Sequence, residues 1–478
     1  MKFWICIPLG FVLMMATMMP SDAADAVDDY ISSQMPKNHV TGLSLAIIEG
    51  GKIVRAQGYG FADKSLGIKV TPHTLFQAGS ISKSVAALGA LHLVEAGKLS
   101  LDANINTYLT TWKLPENEFT NQKPVTLREI LSHTAGITVH GFPGYEAGSP
   151  VPTLVQVLNG EKPANTPAIR VDTLPGSIWR YSGGGYTIMQ QMILDVTEKA
   201  FPDFMQETVL KPFGMTDSSY QQPMPDTRIS SAAIGYYSDG AAVKGRWHIY
   251  PEMAAAGLWT TPSDLARFAI GVQESFKGTT NAVISQNLTR EMLTDQKNGD
   301  GLGLFLQGTG KTLRFTHDGR DECFDASMMA YEQAGQGAVI MINANVEGSF
   351  VPHLLEVIAR EYQWPGYPMS VSYSPIQDKE PAIAATLKSE LAQMAAGKYN
   401  KDLYTPQLSA IIEAQMKAGL PAIVSGFGAL QSIELLERSN NSGNRFYRYR
   451  LTFKNTTLLA PCTFDKDNKI SGLSFQQE

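Results

Sequence analysis

The sequence predicts an α/β chain of the α+β sandwich kind. An antiparallel sheet is flanked by a central helical region, and a small C-terminal α+β domain follows. Three observations predict this. Strand patterns cluster near both ends of the first 366 residues, helical patterns fill the interval between them, and the composition changes after a proline-bearing stretch at 367–380. A sheet that draws strands from both ends can be covered by the helices in between, so that no apolar face is left open.

Length supports more than one unit, since 478 residues exceed what a single core sustains. The expected divisions are a leader at 1–23, a main domain at 24–366, a linker at 367–380 and a small domain at 381–478. Hydrophobic residues make up 44% and charged residues 18%, as in an ordinary globular protein. A net charge of −6 leaves no basic field, which excludes nucleic acid as a partner. Lys2, the apolar run Phe3 to Met19 and the small residues Ser21-Asp22-Ala23 read as an export leader cut near Ala23, with an uncleaved membrane anchor as the alternative. The expected location is therefore periplasmic or secreted. Cys6 lies too early for a lipoprotein signal. Cys323 and Cys462 are expected as two free buried thiols rather than a disulfide.

Along the chain, residues 24–37 suit a helix. Gly42 to Ile48 and Lys52 to Gly60 read as strands joined by a Gly50-Gly51 turn, a hairpin signal. A long apolar helix follows Ser80, and a short one runs from Thr126 to Leu131. Val139 to Ser177 carries six prolines and is expected to be irregular, with a place over a cleft or on the plain surface. Helices are expected near Gly184 and Phe201, and another after Thr261, with Pro262 at an early helical position. Leu313 to Thr316, Phe324 to Tyr331 and Gly337 to Asn343 read as strands. Val351 to Glu361 reads as a closing helix. Beyond the linker, helices at 382–396 and 405–418 precede several alternating strands, Arg445 to Phe453 being the clearest.

The chemistry-bearing segments are short. In Ser80-Ile81-Ser82-Lys83, residues three apart share one helix face, so a hydroxyl stands beside an amine at a helix N-terminus. That is an activated-nucleophile arrangement. Tyr181-Ser182-Gly183-Gly184-Gly185-Tyr186 follows the proline-rich stretch, and His317-Asp318-Gly319-Arg320 ends the Leu313–Thr316 strand. No histidine has metal-ligand spacing. Gly308 to Thr312 fails as a phosphate loop, because Phe305 occupies the position of its first glycine. No cofactor or metal is expected.

In order and spacing these segments resemble the serine β-lactamase and penicillin-binding-protein superfamily, in its branch of class C β-lactamases, D-alanyl-D-alanine carboxypeptidases and esterases. Leu131 to Ile137 and Gly257 to Leu265 add to the likeness, which spans about Val27 to Trp364. The resemblance implies a β-lactamase-like sheet and an acyl-enzyme on Ser80. Lys83 and a phenolate-like Tyr181 would share the role of base. The backbone amides of Ser80 and Arg320 would form the oxyanion hole, with Gly319 allowing close approach and His317 leading the third motif. Arg320 or Arg314 would meet a substrate carboxylate or lie in a surface ion pair. His133 is expected to be structural. Two departures stand out: Gly183 replaces an Asn of the relatives, and His317 replaces a Lys of many β-lactamases. Both place peptidase or esterase action on a small ester, amide or D-amino-acid peptide, in some cases peptidoglycan-derived, ahead of β-lactam hydrolysis. A true class C-like β-lactamase and a non-catalytic penicillin- or peptide-binding protein are the alternatives. The small domain resembles nuclear-transport-factor-like cones. The oligomeric state is not legible in the sequence.

Overall fold

The computed structural model describes residues 25–367, 375–417, 419–441 and 444–477. The leader expected at 1–23 and most of the first half of the linker lie outside the described residues.

The large sheet has seven strands in the order β3-β2-β1-β9-β8-β7-β6, all antiparallel. β1 (Gly42–Glu49), β2 (Lys52–Asp63) and β3 (Ile68–Lys69) come from the start of the chain. β4 (Phe76–Gln77) and β5 (Trp259–Thr260) pair separately. β6 (Phe305–Gln307), β7 (Arg314–Asp321), β8 (Phe324–Tyr331) and β9 (Gly337–Ile342) come from far along it. β1 pairs with β9 from Leu43↔Ile342 to Ile48↔Gly337, joining early and late strands. Central strands buried on both faces read as continuous apolar runs, and β8 and β9 are buried along their whole length.

One face of this sheet packs on the Ala26–Gln34 and Phe350–Glu361 helices, with Val27, Ile31, Leu354 and Ile358 against Leu45, Ile47 and Ile340. The other face packs on the central helices, where Ile48, Phe315, Phe324 and Met341 meet Val85, Leu88 and Phe268. The helix after Thr261 runs Pro262–Lys277, and the Thr261 side chain accepts from Asp264 N–H at its start. The 139–177 stretch contains only one short helix, Leu154–Asn159.

One strand is longer than expected. β7 does not stop at Thr316 but continues through His317-Asp318-Gly319-Arg320 to Asp321, because β8 pairs with it along its full length. On its other side β6 covers only Arg314 to Thr316. From His317 onward that edge is therefore open.

The third core contains only residues from Ile383 onward. Helices Pro381–Ala395, Pro406–Lys417 and Leu420–Gly426 pack on an antiparallel sheet of β10 (Leu430–Asn441), β11 (Asn444–Phe453), β12 (Thr457–Phe464), β13 (Ile470–Leu473) and β14 (Gln476–Gln477). The Leu420–Gly426 helix was not expected from the sequence. Cys323 and Cys462 are both free and buried. Among the described residues, no helix is long and apolar enough to cross a membrane.

Candidate active site

Ser80 occupies the N-cap of the Ile81–Glu95 helix, yet its side chain caps nothing. A serine at this position ordinarily accepts from the first free amides of the helix. Here its hydroxyl turns to Lys83, whose Nζ lies 2.9 Å from Ser80 Oγ and 2.8 Å from the Ala255 carbonyl oxygen. The helix is buried nearly all round. Tyr220 donates to the Ser82 carbonyl at 2.6 Å, and Ser84 donates to the Gly303 carbonyl at 2.7 Å. The nucleophile thus stands on a fixed support.

Burial governs the charge of Lys83. The side chain is almost fully removed from water, and loss of hydration lowers its pKa to about 7, with Asp321 opposing the shift. Much of the amine is therefore neutral at physiological pH and able to accept a proton.

Tyr181 reaches Ser80 from the other side, through a hydrogen bond to its side chain. Its ring lies under Lys83, 5.0 Å from Nζ to the centroid. The sequence reading made this tyrosine phenolate-like. The structure corrects that, because burial pushes the phenol well above its usual range. Tyr181 therefore keeps its proton and serves as a donor. Its position is set by the next residue. Ser182 accepts from Gly185 N–H at the start of the Gly183–Thr197 helix, and its own N–H donates to His133 Nδ1 at 3.1 Å. The buried His133 ring lies 4.2 Å from that of Tyr181, so His133 supports the tyrosine from behind.

The run of glycines here has a packing cause. A Cβ on Gly184 would lie 2.5 Å from the Thr138 carbonyl oxygen, and one on Gly183 would lie 3.0 Å from both the His140 carbonyl and the Phe142 ring. The space of a longer side chain at 183 is filled by the 140–142 segment, and the Ala255 carbonyl contacts Lys83.

β7 closes the site. A Cβ on Gly319 would lie 1.9 Å from the Ala78 carbonyl oxygen, and one on Gly79 would lie 2.4 Å from Arg320 N. Only glycines let the open edge of β7 come this close to the Ala78–Ser80 turn. The backbone of Arg320 thereby lies beside that of Ser80. His317 is buried, with its Nδ1 2.6 Å from the Asp318 carbonyl oxygen. That bond fixes the proton on Nδ1 and leaves Nε2 as an acceptor. Burial, and then the Lys83 charge, hold the ring pKa down to about 3, so His317 is neutral at working pH.

The site therefore gathers Ser80, Lys83, Tyr181, His317, Gly319 and Arg320 on one cleft of about 920 Å³. The arginine side chains are another matter. Arg320 Nε and Nη2 donate to both oxygens of Asp325 at 2.7 and 2.9 Å, and Nη1 donates to Glu347 at 2.6 Å. Arg314 is buried behind the lining ring of Tyr367 and does not itself line the cleft. Neither is available as the carboxylate reader the sequence reading allowed; Arg320 lies instead in the ion pair that was its alternative.

Several residues of the cleft escaped sequence reasoning. Phe142, Trp179, Phe305 and Tyr367 give it an aromatic lining. Asp321 is buried with both carboxylate oxygens lacking a side-chain partner, and burial raises its pKa well above the usual carboxylate range. Behind it, outside the cleft lining, Glu252 is likewise buried and raised to about 8 by loss of hydration. Nothing in their local sequence marks them, because the fold brings them from distant segments. Among the described residues no cluster could hold a metal ion.

Comparison with known proteins identifies the family and the fold. The family described as Beta-lactamase matches residues 27–363. Protein flp of Staphylococcus aureus (strain N315) is 25% identical over 351 residues, 71% of this chain and 66% of its own length. The match thus spans just under two thirds of that relative. Two solved structures share the fold. The β-lactamase/D-alanine carboxypeptidase from Pseudomonas syringae, 22% identical, superposes with a TM-score of 0.58 and covers 72% of this chain and 99% of its own. The octameric penicillin-binding protein homologue from Pyrococcus abyssi, 20% identical with a TM-score of 0.57, covers 95% of this chain and 98% of its own.

Proposed function

Because the chain belongs to the Beta-lactamase family, we propose that it is an exported serine hydrolase working through an acyl-enzyme on Ser80. The observation that carries the reading is Lys83 Nζ at 2.9 Å from Ser80 Oγ, on an amine that burial holds near neutrality.

The steps follow from the groups present. Neutral Lys83 takes the Ser80 proton as Oγ bonds to the substrate carbonyl carbon. The negative charge that develops on the carbonyl oxygen meets the amides of Ser80 and Arg320, which lie side by side where Gly79 and Gly319 allow it. Tyr181 gives its proton to the leaving group as the old bond breaks, and the proton that Lys83 took from Ser80 then restores Tyr181. Water then attacks the acyl ester on Ser80. Its proton passes to Lys83, and the free acid departs with Ser80 reprotonated. His317 remains neutral throughout and offers only a hydrogen-bond acceptor.

The substrate class proposed is a small ester, amide or D-amino-acid peptide. Gly183 and His317 set the site apart from β-lactam-hydrolysing relatives, so peptidase, amidase or esterase action stands ahead of β-lactamase action. A panel of p-nitrophenyl esters, D-amino-acid amides, D-alanyl-D-alanine peptides and benzylpenicillin, run with wild type and Ser80→Ala, tests this. Turnover of an ester or amide that Ser80→Ala abolishes supports the reading. Equal turnover by the variant overturns it, and tight binding without turnover of any member favours a binding protein.

A further inference from the structure

We infer that the cleft selects acyl substrates with no carboxylate beside the scissile bond, and that Asp318 is the residue that turns anionic substrates away. The inference rests on the acyl-enzyme reading of Ser80 and narrows it.

Among the described residues, the acidic and strongly basic side chains lining the cleft are Lys83, Asp318, Arg320, Asp321 and Asp325, with burial favouring the neutral forms of Lys83 and Asp321. Recognition of a carboxylate needs a cation with donors to spare. Lys83 is engaged with Ser80 and the Ala255 carbonyl. Arg320 donates through Nε, Nη1 and Nη2 to Asp325, to Glu347 and to the Val346 carbonyl. Four of its five N–H groups are thereby used, and its charge faces two carboxylates. His317 is neutral above about pH 3. His140 is shifted the same way, by burial and by the Lys83 charge. No lining residue offers an unspent positive charge.

Negative charge is what the cleft does present. Asp318 sits on β7 one residue before Gly319, exposed and opposite Ser327 of β8. Loss of hydration and the neighbouring carboxylate of Asp325 raise its pKa above the usual value, while its side-chain hydrogen bond to Ser327 favours the carboxylate. Asp325 and Glu347 together exceed the single charge of Arg320. A carboxylate arriving along the open edge of β7 therefore meets repulsion close to the oxyanion strand. A neutral amide or ester meets none. An ammonium group gains attraction, and the apolar walls of Phe142, Trp179 and Phe305 suit the remainder.

The test uses three depsipeptide esters of one acyl-D-alanine. Their leaving groups end in a carboxylate, the matching carboxamide or an aminoethyl amide, and kcat/KM is measured at pH 8. The expected order is amine at or above carboxamide, with both above carboxylate by about tenfold. In Asp318→Asn the ratio of carboxylate to carboxamide rates rises about fivefold. Because that ratio is taken within one preparation, partial misfolding cancels. Equal or faster turnover of the carboxylate ester by wild type overturns the inference, as does an unchanged ratio in the variant. Absence of turnover of all three without a Ser80 adduct overturns the acyl-enzyme reading itself, and this inference with it.

Discussion

Lys83 Nζ lies 2.9 Å from Ser80 Oγ, one helical turn away, and its second partner is the Ala255 carbonyl. Among the described residues the amine has no carboxylate partner within hydrogen-bonding distance, and this arrangement keeps it a base. Replacing Lys83 by Met retains the stem and removes the base. Acylation of Ser80 is expected to slow by about 10²–10⁴-fold, as read from the burst of p-nitrophenol release. A burst of wild-type rate would place the base elsewhere.

The same burial sets the pH dependence. Lys83 is a competent base only when neutral, so the acylation rate is low below its pKa of about 7 and levels off above it. Tyr181, held above its usual range by burial, gives no descending limb in the neutral region. His317, held at about 3, gives no limb there either. The profile of kcat/KM from pH 5 to 9 is therefore expected to show one ascending limb and a plateau. A bell centred near neutrality would contradict these assignments.

Gly319 tests the oxyanion strand. Its replacement by Ala puts a methyl 1.9 Å from the Ala78 carbonyl oxygen, where backbone and not a movable side chain must give way. Activity is expected to fall by about 10²–10³-fold, with a stability loss of about 1–3 kcal/mol. Steady-state kinetics and thermal melting read the two separately.

His133 tests support of the tyrosine from behind. His133→Ala removes the acceptor for Ser182 N–H and the ring under Tyr181. The expected result is a lower kcat with little change in KM. His133→Asn, which restores an acceptor near the position of Nδ1, is expected to recover part of kcat. A melting-temperature loss with unchanged kcat would make the role purely structural.

Much of this site was legible because its key residues sit in short local patterns. Ser80 and Lys83 are brought together by helical spacing, while Tyr181 is marked only by the resemblance of its segment, in order and spacing, to the family. The β1–β2 hairpin was legible from Gly50-Gly51, and the Pro262–Lys277 helix from Thr261 and Pro262. The end of β7 was not legible. His317-Asp318-Gly319-Arg320 reads only as the end of the Leu313–Thr316 strand, and pairing with β8 carries the strand on through it to Asp321. The roles of the arginines were hidden for a similar reason, since Glu347 lies 27 residues from Arg320. The protonated state of Tyr181 depends on burial by segments that its own neighbourhood does not reveal. The Leu420–Gly426 helix, with Pro421 in its first turn and Gly419 at its N-cap, is too short to carry a periodic signal.

The most direct test of the account is intact mass over time after mixing the full chain with a short-chain p-nitrophenyl ester, with Ser80→Ala alongside. The account predicts an acyl increment on wild type that maps to the peptide containing Ser80, decays as free acid accumulates and never forms on the variant. An increment on another residue, or hydrolysis by Ser80→Ala at the wild-type rate, would contradict it.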